Sequence, residues 1–291
     1  MSAQQNLVPN GSFEDTLGCP NNFDQIYKTK YWYKPTQGTS DYYNACDLTL
    51  NTSVPFNVGG FQIAHNGFAY AGISFGDNNY PLEREYLQVK LLNKLQRNKK
   101  YSVEFWLSRA DSTNYAVSNI GAVISQNPIS CSCSTVLNFN PQIKQTLFIT
   151  ESINWQLISG DYIANGDEEY LTIGHFGQNY DTLKVFNGNF TYTYYYVDDI
   201  SIVASEVNSE IPNIFTPNAD GSNDVFCFDT NIYKANELSI YNRWGNKVFE
   251  SKNNFTWDGR TTSGEPCNAG TYYYIIQTET ETYKGFLELV R

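Results

Sequence analysis

The chain is poor in the residues from which helical bundles, zinc sites and nucleic-acid surfaces are built. A single methionine stands among 291 residues and alanine is scarce, which disfavours a helical bundle. The two histidines, His65 and His175, are not spaced for zinc, and there is no Cys-x-x-Cys pair. Neither histidine sits in a Gly-x-Ser-x-Gly or Cys/His signature, so no catalytic triad is legible. Glu83 and Glu85 form a carboxylate pair of the kind a glycosidase needs, but no motif supports them and they read as solvated charges. Basic residues number 19 against 30 acidic ones, giving a net charge of −11. That balance argues against nucleic acid and against an anionic membrane surface. No apolar run is long enough to span a bilayer as a helix.

What is abundant is aromatic. The chain has 23 Tyr, 18 Phe and 5 Trp, together 16% of its residues. Such residues suit a pleated, half-buried surface, so the composition points to β-structure. Hydrophobic residues at 41% are enough for real cores, and the length suits two domains. Alternation at period two recurs. Tyr101, Val103, Phe105 and Leu107 share one strand face, as do Leu171 and Ile173, Leu238 and Ile240, and Tyr272, Tyr274 and Ile276. Turn clusters separate these runs at Asn57-Val58-Gly59-Gly60, Gly76-Asp77-Asn78-Asn79 and Ala164-Asn165-Gly166-Asp167. Residues 82–100 conflict. Leu87, Leu91 and Leu95 could line a helix, whereas Leu87, Val89 and Leu91 alternate as a strand; the all-β surroundings favour the strand. The short polar run of residues 205–210 reads as a linker between domains at 4–204 and 211–291.

Six cysteines, an even number, point to an oxidising compartment. The opening Met1-Ser2-Ala3-Gln4-Gln5 has neither the basic nor the apolar segment of a signal peptide, so the start reads as a trimmed mature chain. Cys19 and Cys46 flank an aromatic loop that a disulfide would staple. Cys131-Ser132-Cys133 allows a bridge across one residue or two free thiols, with the bridge slightly favoured. Cys227 and Cys267 are the only cysteines of the C-terminal segment and are candidates for a third pair.

The C-terminal segment carries five ordered motifs. They are the run Ile211-Pro212-Asn213-Ile214-Phe215-Thr216-Pro217-Asn218-Ala219-Asp220-Gly221-Ser222-Asn223-Asp224; Asn242-Arg243-Trp244-Gly245-Asn246-Lys247; Trp257-Asp258-Gly259; Gly270-Thr271-Tyr272-Tyr273-Tyr274; and Tyr283-Lys284-Gly285-Phe286. Together they resemble the gliding-motility-associated C-terminal domain, the type B sorting domain of Bacteroidetes proteins exported by type IX secretion. The resemblance implies an immunoglobulin-like β-sandwich, the type IX machinery as partner, and a secreted or cell-surface location. Read physically, Asn242 to Lys247 forms a hairpin turn with Gly245 at positive φ, and Trp257 fills a core. Asn218, Asp220 and Asp224 offer alternate oxygens that could wrap Ca²⁺; the alternative is an Asx-turn cluster satisfying its own amides.

The N-terminal segment opens with Asn6-Leu7-Val8-Pro9-Asn10-Gly11-Ser12-Phe13-Glu14 and closes with Tyr195-Tyr196-Val197-Asp198-Asp199-Ile200-Ser201-Ile202. This pair resembles the first and last strands of the galactose-binding-like jelly roll, the fold of many carbohydrate-binding modules. The resemblance implies that the two ends lie side by side, with Glu14 and Asp199, and Asp198 as a further candidate, around a structural Ca²⁺. Independently, two adjacent carboxylates in an apolar strand are costly unless paired or metal-bound. Strand alternation sends Asp198 and Asp199 to opposite faces. Tyr31, Trp32 and Tyr33 are the best loop candidates for a sugar platform, while Trp106 and Trp155 read as core. Asp15-Thr16-Leu17, Asp111-Ser112-Thr113 and Asp181-Thr182-Leu183 fit the short O-glycosylation pattern associated with these bacteria.

The reading is of an extracellular all-β protein, not an enzyme: a jelly-roll recognition or adhesin module, with a glycan as candidate ligand, followed by a sorting domain. The alternatives are a structural subunit that binds other proteins in a surface filament or matrix, and a glycan hydrolase.

Overall fold

The computed structural model describes residues 5–77, 82–177, 182–185, 190–205 and 211–291. Most of the expected linker, part of the turn after Gly76 and Asp181 of one glycosylation run lie outside these residues. The chain divides into two compact units, Met1–Ser205 and Glu206–Arg291.

The first unit holds fourteen strands. Its first half comprises β1 (Trp32–Tyr33), β2 (Asp41–Asn44), β3 (Phe56–Asn57), β4 (Gly60–Phe61), β5 (Ala69–Asp77), β6 (Tyr86–Lys90) and β7 (Lys100–Arg109). Its second half comprises β8 (Tyr115–Val117), β9 (Ile120–Ser125), β10 (Ile143–Gln145), β11 (Gln156–Ile163), β12 (Tyr170–His175), β13 (Thr182–Lys184) and β14 (Tyr192–Ala204). Two five-stranded sheets carry the fold, β1-β6-β12-β9-β10 and β11-β7-β14-β5-β2, and all their pairings are antiparallel. Period-two alternation sets their inner faces. Leu87, Val89, Ile124, Leu171 and Ile173 from the first sheet join Ile73, Phe75, Val103, Phe105, Leu107 and Val197 from the second in one core. This is a jelly-roll β-sandwich. Residues 82–100 resolve as the strand β6 followed by turns, with Leu87, Val89 and Leu91 all buried.

The two ends of this unit run side by side, as the resemblance implied. Leu7 N–H donates to the Ile202 carbonyl at 2.8 Å, and Ile200 N–H donates to the Gly11 carbonyl at 2.9 Å. Gly11 is required here, because a Cβ would stand 2.1 Å from the Ile200 carbonyl oxygen. Cys19–Cys46 and Cys131–Cys133 are both bridged. Closing the 27-residue separation of the first pair contributes roughly 3–4 kcal/mol by restricting the unfolded chain.

The second unit has one five-stranded sheet, built from β15 (Ile214–Phe215), β16 (Glu237–Asn242), β17 (Lys247–Ser251), β18 (Gly270–Gln277) and β19 (Thr282–Leu289) in the order β15-β19-β18-β16-β17. The edge strand β15 pairs parallel to β19, and the other pairings are antiparallel. One face is closed by irregular segments. Phe226 and Trp257 bridge through paired backbone bonds of 2.8 and 2.9 Å and bury their rings among Phe215, Leu238, Ile240, Tyr274 and Leu287. The expected hairpin turn joins β16 to β17, with Gly245 at φ +80°. Trp257 is fully buried, whereas Trp244 stands 74% exposed with the Arg243 guanidinium over its ring. The expected third disulfide is absent. Cys227 faces solvent while Cys267 is buried beside Tyr272, and both thiols are free.

Candidate functional site

The outer face of the second sheet of the sandwich is the distinctive surface of the N-terminal unit. Alternation along β14 sends Tyr195 and Val197 into the core and Tyr192, Tyr194 and Tyr196 outward. Tyr43 on β2 and Tyr70 on β5 join them in a second apolar cluster. Along β5 the outward positions after Tyr70 are small: Gly72, Ser74 and Gly76. A row of small residues flanked by tyrosines makes a trough. The result is a cleft of about 450 Å³, walled by Phe23, Tyr43, Tyr192 and Tyr194, floored by Ser74 and Gly76, and carrying Asp41, Glu83 and Glu85.

Gly72 is required for this geometry. A Cβ there would meet the Tyr194 hydroxyl at 2.2 Å, so only glycine lets that phenol lie across the sheet to Asp41. Tyr43 hydroxyl donates to Tyr194 hydroxyl at 3.0 Å, and Tyr194 donates in turn to Asp41 Oδ2 at 2.5 Å. Asp41 Oδ1 accepts the Asp24 amide at 2.6 Å. Glu85 accepts the Thr39 amide at 2.9 Å and the Ser74 amide at 2.8 Å, pinning two elements at one carboxylate. Burial, with the neighbouring Glu85 charge, pushes the Asp41 carboxyl up to about 8. Burial also raises Glu85 and holds the Tyr43 and Tyr194 phenols well above their ordinary value.

The sequence singled out other residues for recognition. Trp32 is core: it is buried against Phe13 at 5.0 Å between ring centroids, and its Nε1 donates to the Asn10 carbonyl at 2.9 Å. Pairing of β1 with β6 turns it inward and leaves Tyr31 and Tyr33 exposed on either side, so the three do not form one platform. Trp106 and Trp155 reverse the other way. Val103, Phe105 and Leu107 take the inward positions of β7, so Trp106 must face outward, where it stacks on His65 at 4.1 Å. Trp155 lies 6.1 Å from the same imidazole and 5.8 Å from Tyr70, and its Nε1 donates to the Ile63 carbonyl at 2.9 Å. Glu83 and Glu85 are not simply solvated, since Glu85 is a buried wall of the cleft. Asp41 was missed altogether. The signal was present in Asp41-Tyr42-Tyr43, where alternation puts a carboxylate and a tyrosine on one face beside the small residues of β5.

The carboxylates expected around calcium serve as backbone clamps. Glu14 Oε1 accepts the amides of Phe68 and Ala69 at 2.8 and 2.9 Å. Asp198 accepts the amides of His65, Asn66 and Asp199 at 2.9, 3.3 and 2.7 Å. Strand alternation fails between these aspartates, because β14 shifts register between Asp198 and Ser201 and Asp199 sits at φ 44°. The bulge turns both toward His65, whose Nδ1 lies 2.5 Å from Asp199 Oδ2. In the C-terminal unit Asp224 accepts the amides of Asn218, Ala219 and Gly221, and Asp220 accepts that of Ser222. This is the Asx-turn arrangement, with the loop oxygens spent on its own backbone. Among the described residues no group of three or more His, Cys, Asp or Glu side chains is placed to hold a metal ion.

Residues 209–289 match the CHU_C type IX secretion signal domain family. The C-terminal unit carries a type IX secretion signal. Export to the cell surface or the extracellular space follows from that signal, and among the described residues no helix is long and apolar enough to cross a membrane. No curated protein matches the chain in sequence. Among solved structures, similarity is found to the CBM22-1 xylan-binding domain of Xyn10C from Paenibacillus barcinonensis, at 11% identity and TM-score 0.40, covering 70% of this chain and 97% of that one. The K2 cleaved adhesin domain of Lys-gingipain aligns at 11% identity and TM-score 0.38, covering 70% and 100%. A putative sugar binding protein from Bacteroides thetaiotaomicron aligns at 8% identity and TM-score 0.35, covering 69% and 100%.

Proposed function

We propose that the protein is a non-catalytic recognition module delivered outside the cell by its C-terminal signal domain, and that the tyrosine-walled cleft of the N-terminal sandwich binds a glycan. The observation that carries this reading is the combination of ring faces and acceptors in one trough. Phe23 and Tyr192 offer surfaces on which sugar rings stack, while Asp41, Glu83 and Glu85 offer acceptors for their hydroxyls. The cleft is held by hydrogen bonds between three strands and a loop, so little ordering is left for binding to supply.

A glycan array probed with the full chain tests this. Hits are expected to disappear with Tyr192→Ala, which removes a half-buried wall. A correctly folded chain that binds no glycan would overturn the proposal.

A second reading, a structural role through binding other proteins, rests on a different surface. Phe56, Phe61, Ile63 and Phe68 are all exposed on the segment that crosses this sheet. Concentration-dependent assembly in size-exclusion chromatography, without glycan hits, would favour it. Release of reducing sugar from plant or algal polysaccharides would favour hydrolysis at Asp41 and Glu85.

A further inference from the structure

We infer that the cleft selects an amine-bearing sugar, a de-N-acetylated hexosamine oligomer, over neutral sugars of the same length. This rests on the glycan reading above and narrows it to one ligand chemistry.

Charge in the cleft is unbalanced. Asp41 and Glu85 are buried in one cleft with Glu83 at its rim, and no Lys, Arg or His is among the described residues lining it. The donors to the two buried carboxyls are all neutral: the Tyr194 hydroxyl and the amides of Asp24, Thr39 and Ser74, with the Thr39 hydroxyl. The nearest cations are engaged elsewhere. Lys34 is paired with Asp24. Arg84 donates to His175 Nδ1 at 3.2 Å and to the carbonyls of Phe75 and Glu83 at 3.0 and 2.7 Å. Burial first, and the neighbouring Glu85 charge second, disfavour ionisation of Asp41 and push its carboxyl up to about 8.

An ammonium group entering the cleft reverses that balance. It supplies the missing charge, and the ring faces of Phe23 and Tyr192 favour a cation further. A neutral sugar gains stacking and hydrogen bonds but leaves the carboxyls as they were. Below the pKa of the ligand amine, the Asp41 carboxylic acid gives its proton to buffer as the ligand ammonium docks against the resulting carboxylate, so binding releases up to one proton per site and affinity rises with pH. Between that pKa and about 8 the Asp41 proton passes to the ligand amine instead, net release falls to zero and affinity levels off. The other titratable groups facing Asp41 are Glu85, Asp24 and the phenols of Tyr43, Tyr192 and Tyr194. None of them supplies positive charge.

The test is calorimetric titration of the full chain with β-1,4-linked tetramers of glucosamine, N-acetylglucosamine and glucose. The glucosamine tetramer is expected to bind at least about tenfold more tightly than either neutral one, as a newly formed charge pair in a partly buried site allows. At a pH below the pKa of the ligand amine, its apparent enthalpy is expected to vary with buffer ionisation enthalpy by the release of a proton. Asp41→Asn is expected to abolish proton release and the preference for the amine. Glu83→Gln, at the exposed rim, is expected to weaken the glucosamine tetramer alone, and it keeps the test open if Asp41→Asn does not fold. Neutral tetramers that bind as tightly as the amine would overturn the inference and leave the glycan reading standing. A lysine-rich peptide that binds where no sugar does would overturn both.

Discussion

The two units handle polar groups in opposite ways. Among the described residues, every buried polar or charged side chain but one lies in the N-terminal unit, and the exception is Ser239. The N-terminal sandwich buries Asp41, Glu85, Arg84, His175 and Asp198, holding the carboxyls with phenols and amides and the Arg84 guanidinium with His175 and backbone carbonyls. The C-terminal sheet buries an aromatic and aliphatic core on one side, and its other face presents Tyr273 and Phe286 to solvent. Buried polar networks are costly to assemble and specify one geometry. A unit that carries many of them is suited to hold a site in register. A unit with almost none needs only to fold and display a surface, which is what a transport signal requires.

The comparison can be broken most severely at the signal. Deleting residues 211–291 is expected to leave the protein in the periplasm, scored by surface labelling and fractionation. Normal surface display after the deletion would remove the division of labour. Next in size is Trp257→Ala, which removes the largest side chain from the core of the C-terminal unit and is expected to cost about 3–5 kcal/mol. Calorimetry of the full chain should then show one transition lowered and the transition of the N-terminal unit unchanged. A shift of both would mean that the units do not melt independently.

Gly72→Ala tests the N-terminal network. The added methyl displaces the Tyr194 phenol from Asp41, and a loss of about 1–3 kcal/mol is expected. Ligand binding should fall with it.

Smaller again is a pH effect. Asp41 titrates near 8 in the folded protein against 3.8 unfolded, so the native state holds the extra proton between those values. Its contribution to stability is fully present below about pH 4 and is lost as pH rises toward 8. His175 opposes it at the acid end. Burial and Arg84 lower its imidazole to about 4 from 6.5, so its contribution is present above 6.5 and is lost as pH falls toward 4. The Asp41 signature is therefore cleanest from pH 6.5 to 8, where denaturant midpoints should fall for the native chain and stay flatter for Asp41→Asn.

The smallest expected effect is that of calcium. With Glu14 and Asp198 bonded to amides, a chelator is expected to leave the melting temperature unchanged. A cation bound at a hundred times its dissociation constant would contribute about 2.7 kcal/mol. For a unit of this size that corresponds to roughly 5–11 °C, and such a drop would make Glu14 and Asp199 ligands.

Much of the architecture was legible because alternation and turns are local. The strand faces of β7, β12, β16 and β18, the hairpin at Gly245 and the buried Trp257 all follow from period two and glycine placement. The neighbouring ends of the sandwich were legible through resemblance alone. The site was not legible, because it depends on which strands become neighbours. Tyr194 reaches Asp41 across 153 positions of sequence, through a gap that exists only because residue 72 is glycine. The tryptophans misled for a related reason. Apolar character predicted core burial for Trp106 and Trp155, while the register of β7 had already assigned its inward positions to Phe105 and Leu107, and Trp155, just before β11, packs against the outer tyrosine cluster. Trp32 was read as loop because its two-residue strand is too short to show a period.

The most direct measurement is titration of the full chain, and of its Tyr192→Ala and Gly72→Ala variants, with the glycan that scores highest on the array. The account predicts saturable binding by the native chain and a loss of at least about tenfold in both variants, each measured below its own melting transition. Equal affinity in all three proteins would place recognition somewhere other than the tyrosine cleft.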